Sequence, residues 1–223
     1  MRRRSVLSGI ASAVGVGATA GLAGCLQQGG SSGESVEDHP AANALDGQPF
    51  IGEAPLEAEK LIVAFEDPTC TSCSRFHTST FDDVRSEIVE PDSASFVYRP
   101  YRYTGRSWAT PAIHAVLETT ARDRDAAWEL LGFYYDTVTS LSGSSFATET
   151  RSFLETSTSV DAEAVIAASE ARTHQSVLET AEADGDEAGV VSTPTFYLFQ
   201  NGTFETELTG SVDVTAFEAG FRV

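Results

Sequence analysis

The stretch that decides the fold runs from residue 61 to residue 77 and reads Leu61-Ile62-Val63-Ala64-Phe65-Glu66-Asp67-Pro68-Thr69-Cys70-Thr71-Ser72-Cys73-Ser74-Arg75-Phe76-His77. Its first five residues form an apolar run of strand length, and the next four form a turn. From Cys73 onward, apolar residues recur at helical spacing. Strand, turn, Cys-x-x-Cys and helix in this order form the context in which the motif indicates redox chemistry.

The two cysteines, Cys70 and Cys73, are spaced so that both sulfurs meet at the first turn of one helix. A helix N-terminus carries unpaired N–H groups and a partial positive charge, which favour a thiolate over a thiol. A metal site is the alternative, because His77 lies four residues after Cys73 on the same helical face. A closed zinc site needs a fourth ligand, and the sequence has no second Cys-x-x-Cys. We therefore favour the redox dithiol, with no bound metal, and expect His77 on the helix surface.

The N-terminus predicts export and a lipid anchor. A basic cluster opens the chain, and Arg3-Arg4-Ser5-Val6-Leu7 resembles a twin-arginine export signal. A stretch rich in glycine and alanine follows and ends in Leu22-Ala23-Gly24-Cys25, which resembles a lipobox. Residues 1–24 are thus predicted to be a signal peptide, with Cys25 as the lipid-bearing first residue of the mature chain. An uncleaved transmembrane anchor is the alternative, and either one tethers the domain outside the cytoplasmic membrane.

The charge is strongly acidic, with 33 acids against 14 bases and a formal net charge of −19. Loss of the signal peptide removes three arginines and takes the charge to about −22. Such a field repels nucleic acid, which excludes that class of partner. Many acids with Lys60 as the only lysine resemble the composition of extreme halophiles, and together with the export signal predict a haloarchaeal lipoprotein. A merely acidic surface protein is the alternative.

Composition divides the rest of the chain. Residues 25–47, rich in glycine, serine and acids, are predicted to be a flexible tether, and residues 48–223 one domain. Within that domain a helical insertion occupies about residues 107–184. Its last helix is expected to begin at Asp161 and to run to about Ala183.

The C-terminal part is predicted to be a β-hairpin followed by a helix. Residues 195–199 and 203–208 read as strands on either side of Asn201-Gly202, the dipeptide most typical of a tight hairpin turn. A last short helix is expected from about Val214.

These features together resemble the DsbA-like branch of the thioredoxin superfamily. Residues 65–77 resemble the active-site segment, and Ser192-Thr193-Pro194-Thr195-Phe196 resembles the family's cis-proline segment. The resemblance implies an α/β thioredoxin-like fold, in which a central mixed β-sheet is flanked by helices. The helical insertion would separate the Cys-x-x-Cys half from the cis-proline half.

The resemblance also implies roles for the site residues. Cys70 is expected to be the exposed nucleophile, Cys73 the buried resolving thiol, and the two to form a Cys70–Cys73 disulfide. Pro194 is expected in the cis form, with the backbone of Thr193 pairing with a bound peptide.

The chain departs from the family pattern in two places. The dipeptide between the cysteines, Thr71-Ser72, is neither that of strongly oxidising relatives nor that of thioredoxin. Family members commonly carry a buried acid six residues before the first cysteine, where this chain has Ala64. Glu66 and Asp67 are closer to the cysteines and are candidates to tune them.

The function that follows from the resemblance is thiol–disulfide exchange with exported proteins, in the oxidising direction in preference to reduction or isomerisation. No cofactor is expected. A membrane or extracellular redox partner must reset the dithiol, and the protein is expected on the outer face of the cytoplasmic membrane. The alternative is a non-catalytic lipoprotein that uses the same scaffold to bind a metal ion or an unfolded client.

Overall fold

A five-stranded mixed sheet forms the centre of the computed structural model, which describes residues 33–221. The strands are β1 (Phe50–Gly52), β2 (Lys60–Glu66), β3 (Ala94–Pro100), β4 (Thr195–Gln200) and β5 (Thr203–Thr209). Their order in the sheet is β1-β3-β2-β4-β5. The pair β2 and β3 is parallel and the other pairs are antiparallel. Because β2 lies in the middle, helices cover both of its faces and its side chains are almost all buried.

Within residues 33–221, eight α-helices flank this sheet. They are α1 (Thr71–Ser79), α2 (Phe81–Val84), α3 (Ala109–Arg122), α4 (Arg124–Asp136), α5 (Phe146–Ser157), α6 (Ala162–Ala171), α7 (Gln175–Ala188) and α8 (Val214–Gly220). A π-helical turn at Arg85–Val89 extends α2, and a 3-10 turn occupies Pro40–Ala42. The five helices α3–α7 lie between β3 and β4, so the predicted thioredoxin-like fold with a helical insertion is confirmed. None of the helices in residues 33–221 has the length and apolarity needed to cross a membrane.

Successive side chains of β2 point to opposite faces of the sheet and therefore belong to two different cores. Ile62 and Ala64 pack with α1 and α8 on one face, whereas Val63 and Phe65 pack with α7 on the other. A third core lies within the helical insertion around Trp108, and it includes both cysteines. The start of α1 is therefore held between the sheet and the insertion.

The segment before β1 differs from the predicted tether. Gly33 donates its N–H to Phe204 O at 2.9 Å, and Val36 donates to Gly202 O at 2.8 Å, so the segment pairs beside β5. His39 is fully buried and packs against aromatic rings of β4 and β5. Burial of Ala41 and of its apolar neighbours covers that side of the sheet, which offsets the entropy of ordering the chain. The packed part of the domain thus includes residues 33–47, whereas the predicted signal peptide and Cys25 lie outside the described residues.

The predicted helix from Asp161 to Ala183 is two helices in the structure. Asp161 does cap the first one, and its carboxylate accepts the N–H of Ala164 at 3.1 Å. The first helix, α6, ends where Arg172 adopts a left-handed conformation with φ 54°. The next free N–H, that of His174, donates to the ring Nδ1 of His114 on α3 at 3.3 Å. This long-range contact stabilises the break, and no local sequence signal predicts it.

The C-terminal hairpin and helix follow the prediction. Asn201 and Gly202 both have positive φ, 51° and 76°, as a tight turn between twisted antiparallel strands requires. The last helix, α8, begins at Val214 as expected. The start of β4 pairs with the end of β2, so the Thr193-Pro194 segment lies beside the C-terminal end of β2.

Candidate active site

The dithiol lies where β2 leads into α1. Cys70 is the N-cap residue of α1, with extended backbone angles of φ −85° and ψ 125°, and Cys73 lies in the first turn. Both are free thiols in this structure. Cys73 is fully buried, as the resemblance implied, but Cys70 is also only 5% exposed. Cys70 is less accessible than expected because the segment before β4 covers it.

The covering segment contains the expected cis bond between Thr193 and Pro194. The Cys70 Sγ lies 3.4 Å from the backbone oxygen of Thr193 and donates its S–H to it. The Thr193 hydroxyl is buried and has no partner within the described part of the chain. It is therefore available to donate to the sulfur of Cys70 when that sulfur loses its proton.

The two sulfurs have opposite acidities. The pKa of Cys70 is lowered to about 6, mainly by a hydrogen bond from the Cys73 thiol, against a smaller opposing effect of burial. Thr193 and the backbone N–H groups of Ser72 and Cys73 lower it further. The pKa of Cys73 is raised, first by burial, then by its hydrogen bond to Cys70 and by the negative charge of Glu66. At neutral pH Cys70 is thus the nucleophile and Cys73 carries a proton.

The dipeptide Thr71-Ser72 acts through its backbone. Thr71 is exposed and Ser72 is partly exposed, and both lie in the first turn of α1, where backbone N–H groups have no partner within the helix. Of the two, the backbone N–H of Ser72 contributes to the low pKa of Cys70.

Asp67 has a structural role. It is fully buried, and one carboxylate oxygen accepts the N–H and hydroxyl of Thr69 at 2.8 and 2.6 Å. The other oxygen accepts the N–H groups of Tyr103 and Thr104, each at 2.9 Å, and the Thr104 hydroxyl at 3.1 Å. Three backbone N–H groups and the neighbouring Thr69 and Thr104 hydroxyls surround this carboxylate and hold the turn before Cys70 against the loop after β3. Asp67 therefore fixes the position of the dithiol and leaves no oxygen free for it.

Glu66 is the carboxylate whose negative charge raises the pKa of Cys73. It ends β2 with its side chain fully buried, on the same face of the strand as Ala64. Its Oε2 accepts the Tyr135 hydroxyl at 2.5 Å and lies 2.8 Å from His77 Nε2. His77 was expected on the helix surface, but its side chain is only 7% exposed because the ring stacks on that of Tyr135 at 4.2 Å. The expectation for His77 was wrong.

This arrangement of His77 bears on the metal alternative. The ring nitrogen Nε2 is hydrogen-bonded to Glu66, not directed at the two sulfurs as a shared metal site would require. Across residues 33–221, no group of three or more histidine, cysteine or acidic side chains is placed to hold a metal ion.

A family model described as thioredoxin matches residues 45–209, which is most of the chain. The chain belongs to this thioredoxin family. None of the curated proteins compared with it matches its sequence.

Solved structures with the same fold include proteins from three bacteria. BdbD from Bacillus subtilis, in its oxidised form, superposes with a TM-score of 0.71 at 17% identity and covers 87% of this chain and 97% of its own. DsbA from Chlamydia trachomatis has a TM-score of 0.65 at 18% identity and covers 85% of this chain and 91% of its own. The catalytic domain of Proteus mirabilis ScsC has a TM-score of 0.63 at 21% identity and covers 83% of this chain and 93% of its own. At such identities the likeness establishes the thioredoxin fold, and the reaction must be argued from the site.

Two exposed apolar side chains lie on the segments that surround the thioredoxin-fold site. Tyr103 is 52% exposed and belongs to the loop that donates to Asp67, and Val191 is 69% exposed, two residues before Thr193. Sequence reasoning missed both, because exposure of an apolar residue depends on how distant segments meet. They give the rim of the site an apolar surface.

Proposed function

We propose that this protein is an extracytoplasmic thiol–disulfide oxidoreductase that exchanges disulfides with exported proteins through Cys70 and Cys73. The observation that carries the proposal is the asymmetry of the two cysteines at the start of α1. Cys70 has a pKa of about 6 and lies beside Thr193, whereas the pKa of the buried Cys73 is raised. A low-pKa outer sulfur with a protonated inner one is what stepwise disulfide exchange needs.

The reaction proceeds in two exchanges. A substrate thiolate attacks Cys70 of the Cys70–Cys73 disulfide, a bond forms to Cys70, and Cys73 leaves as a thiolate and takes up a proton. A second substrate thiolate then attacks the substrate sulfur of this mixed disulfide, and Cys70 leaves as a thiolate. The substrate loses two electrons and forms its disulfide, and the cysteine pair gains them. A membrane or extracellular partner with dithiol–disulfide chemistry must oxidise the pair again.

The low pKa of Cys70 supports the oxidising direction. Whatever stabilises the Cys70 thiolate stabilises the reduced protein, which raises the reduction potential of the pair by about 30 mV for each 1.4 kcal/mol. A thiolate that is mostly ionised at neutral pH is also a good leaving group in the second exchange. Reduction and isomerisation use the same intermediates, so the direction in the cell depends on the partner.

The substrates proposed are extended, incompletely folded segments of exported proteins. Thr193 would align such a segment beside Cys70 through backbone hydrogen bonds. Tyr103 and Val191 would contact its apolar side chains, since both are exposed on loops of the site.

We place the protein on the outer face of the cytoplasmic membrane, exported by the twin-arginine pathway and anchored through a lipid on Cys25. The support is the N-terminal sequence alone, Arg3-Arg4 and the lipobox ending in Cys25. The Cys25→Ser variant is expected to lose the lipid mass and to leave the membrane fraction, or to stay unprocessed. Unchanged mass and membrane retention would refute the anchor.

Trapping of mixed disulfides in living cells tests the reaction. In the Cys73→Ser variant Cys70 still reacts with substrates but cannot form the internal disulfide, so reducible high-mass species with exported proteins should accumulate. The matched Cys70→Ser variant should give few, because the remaining sulfur is fully buried. Equal trapping by both variants would overturn the assignment of roles. No trapping by either, with one zinc ion per purified wild-type molecule, would favour metal binding instead.

A further inference from the structure

The acidic residues of this chain are unevenly distributed. None of the 33 acids lies in the three stretches 68–81, 93–117 and 188–204. Each stretch contributes to the site, because the first contains Cys70, the second contains the loop after β3, and the third contains Thr193. The buried strands in these stretches would exclude acids in any protein, so the exposed positions decide what the distribution means.

The exposed positions of the acid-free stretches carry arginines. Arg75 lies on α1, Arg102 and Arg106 lie on the loop after β3, and all three are exposed. Arg102 is neutralised by an ion pair with Glu182 of α7. Within residues 33–221, neither Arg75 nor Arg106 forms an ion pair with a carboxylate. These two cations are therefore available to a bound partner.

The segments that carry the two arginines meet at the C-terminal end of α4. The Ser74 hydroxyl, next to Arg75, donates to the backbone oxygen of Tyr135 at 2.7 Å. The Nη1 of Arg106 donates to the backbone oxygen of Val138, also at 2.7 Å. The two carbonyls are three residues apart, which is about one helical turn. The arginines thus belong to one surface.

This surface borders Cys70. Arg75 is four residues after Thr71 and lies on the same exposed face of α1. Long side chains on a helix point back toward its N-terminus, so the Arg75 side chain covers the turn that begins at Cys70. The backbone N–H of Arg106 donates to the Thr104 hydroxyl at 3.3 Å, and that hydroxyl contacts the side chain of the residue before Cys70.

The acids of neighbouring elements do not cancel these charges. Asp136 at the end of α4 lines a pocket beside His77. His77 is two residues after Arg75, or about 200° around α1, so this pocket lies on the opposite face of the helix. Asp186 of α7 accepts the Tyr101 hydroxyl at 2.6 Å. The rim of the site is therefore locally cationic on an acidic protein.

We propose that Arg75 and Arg106 select substrate segments that carry aspartate or glutamate next to the reacting cysteine. The inference rests on the proposed function and names the class of substrate. The net charge of −19 repels an acidic chain over most of the surface, and the rim offers that chain reduced repulsion and two cations. Tyr103 and Val191 add the apolar contacts, so the preferred segment combines acidic and apolar side chains.

Oxidation of three matched peptides tests this selection. Each reduced peptide has the same apolar residues and two cysteines, flanked by aspartate, asparagine or lysine. The oxidised protein in a Cys25→Ser background reacts with each, and each second-order rate constant is divided by that of the same peptide with hydroxyethyl disulfide, which corrects for thiol reactivity. At about 0.15 M salt the Debye length is about 8 Å, so the rim acts on the peptide and most remote acids do not. The aspartate peptide should react fastest and the lysine peptide slowest, and molar salt should abolish the difference.

Substitutions assign the effect to the two arginines. Arg75→Gln with Arg106→Gln should slow the aspartate peptide about three- to tenfold, since one exposed ion pair changes an equilibrium by up to about fivefold. The asparagine peptide and the titration of Cys70 should be unchanged, which a merely structural role would not predict. Lysine at both positions should keep the preference. Arg85→Gln with Arg151→Gln is the control, because it removes two charges from surface ion pairs elsewhere and should leave the order of rates unchanged.

The outcomes separate this inference from the proposed function. A lysine peptide that reacts as fast as the aspartate peptide would refute the selection, and so would equal slowing in the Arg85 and Arg151 control. If the wild type oxidises none of the three peptides, the proposed function fails. If it oxidises all three at equal corrected rates, only the selection fails.

Discussion

Replacing Cys73 by alanine tests whether the inner cysteine makes the outer one acidic. The hydrogen bond from Cys73 is the largest contribution to the low pKa of Cys70, and the Cys73→Ala variant removes it. Hydrogen bonds to charged groups are worth about 1.5–3 kcal/mol, which is about one to two pKa units. The pKa of Cys70 should thus rise from about 6 to about 7–8. Its thiolate fraction at pH 7 should fall from about nine-tenths to half or less.

The matched variant is Cys73→Ser, which keeps a hydroxyl donor at the same position. Its Cys70 should titrate close to the wild-type value of about 6. The measurement is thiolate absorbance, or the rate of alkylation, against pH in a Cys25→Ser background, where Cys70 is the only thiol left. If alanine and serine at position 73 both leave the pKa near 6, the helix N-terminus and Thr193 suffice and the reasoning is wrong.

The same titration links redox state to stability. A thiol with a lowered folded-state pKa stabilises the reduced fold fully above its ordinary pKa of 9.0, and this stability is lost as the pH falls through about 6. The shift corresponds to at most about 4 kcal/mol, reduced by solvent screening, of which at most about 1.4 kcal/mol is present at pH 7. The disulfide form lacks the titrating thiol. The difference in unfolding free energy between the two forms should therefore shift toward the reduced form from pH 6 to pH 8, and a constant difference in urea titrations would contradict this.

Three further perturbations test the packing of α7, the effect of the net charge and the apolar rim of the site. Gly185→Ala should lower the free energy of unfolding by about 1 kcal/mol in urea titrations, because the new Cβ would lie 2.8 Å from the ring of Tyr101 and overpacking outweighs the gain in helix propensity. With a net charge of −19, the melting temperature should rise with salt up to molar concentrations, where repulsion is screened within about 3 Å, and a flat profile would refute this. Replacing Tyr103 and Val191 together by serine should raise KM for an unfolded substrate and leave the Cys70 pKa unchanged, whereas Leu56→Ser, at a residue 63% exposed in another loop, should change neither.

The parts of the fold that the sequence predicts correctly depend on neighbouring residues. The apolar run of β2, the Cys-x-x-Cys at the start of α1 and the Asn201-Gly202 turn each specify their own conformation. Composition is a poorer guide. Residues 33–47 look like a tether because glycine, serine and acids dominate, yet a few apolar side chains such as Ala41, with His39, are enough to fix the segment on the sheet.

Glu66 and His77 show why the site could be predicted only in part. Residue 66 has the strand parity of Ala64, so its direction follows from the sequence once β2 is recognised. Its burial does not follow, since a carboxylate at the end of a strand is normally solvated. The residues that bury it come from elsewhere, and Tyr135 is separated from Glu66 by 69 residues and the whole of α3.

The opposite acidities of Cys70 and Cys73 have two physical causes in the fold. Burial is the main cause of the raised pKa of Cys73, and the hydrogen bond between the sulfurs raises it further while it lowers the pKa of Cys70. This makes the outer sulfur reactive at neutral pH but leaves the inner one unable to exchange its proton with solvent directly.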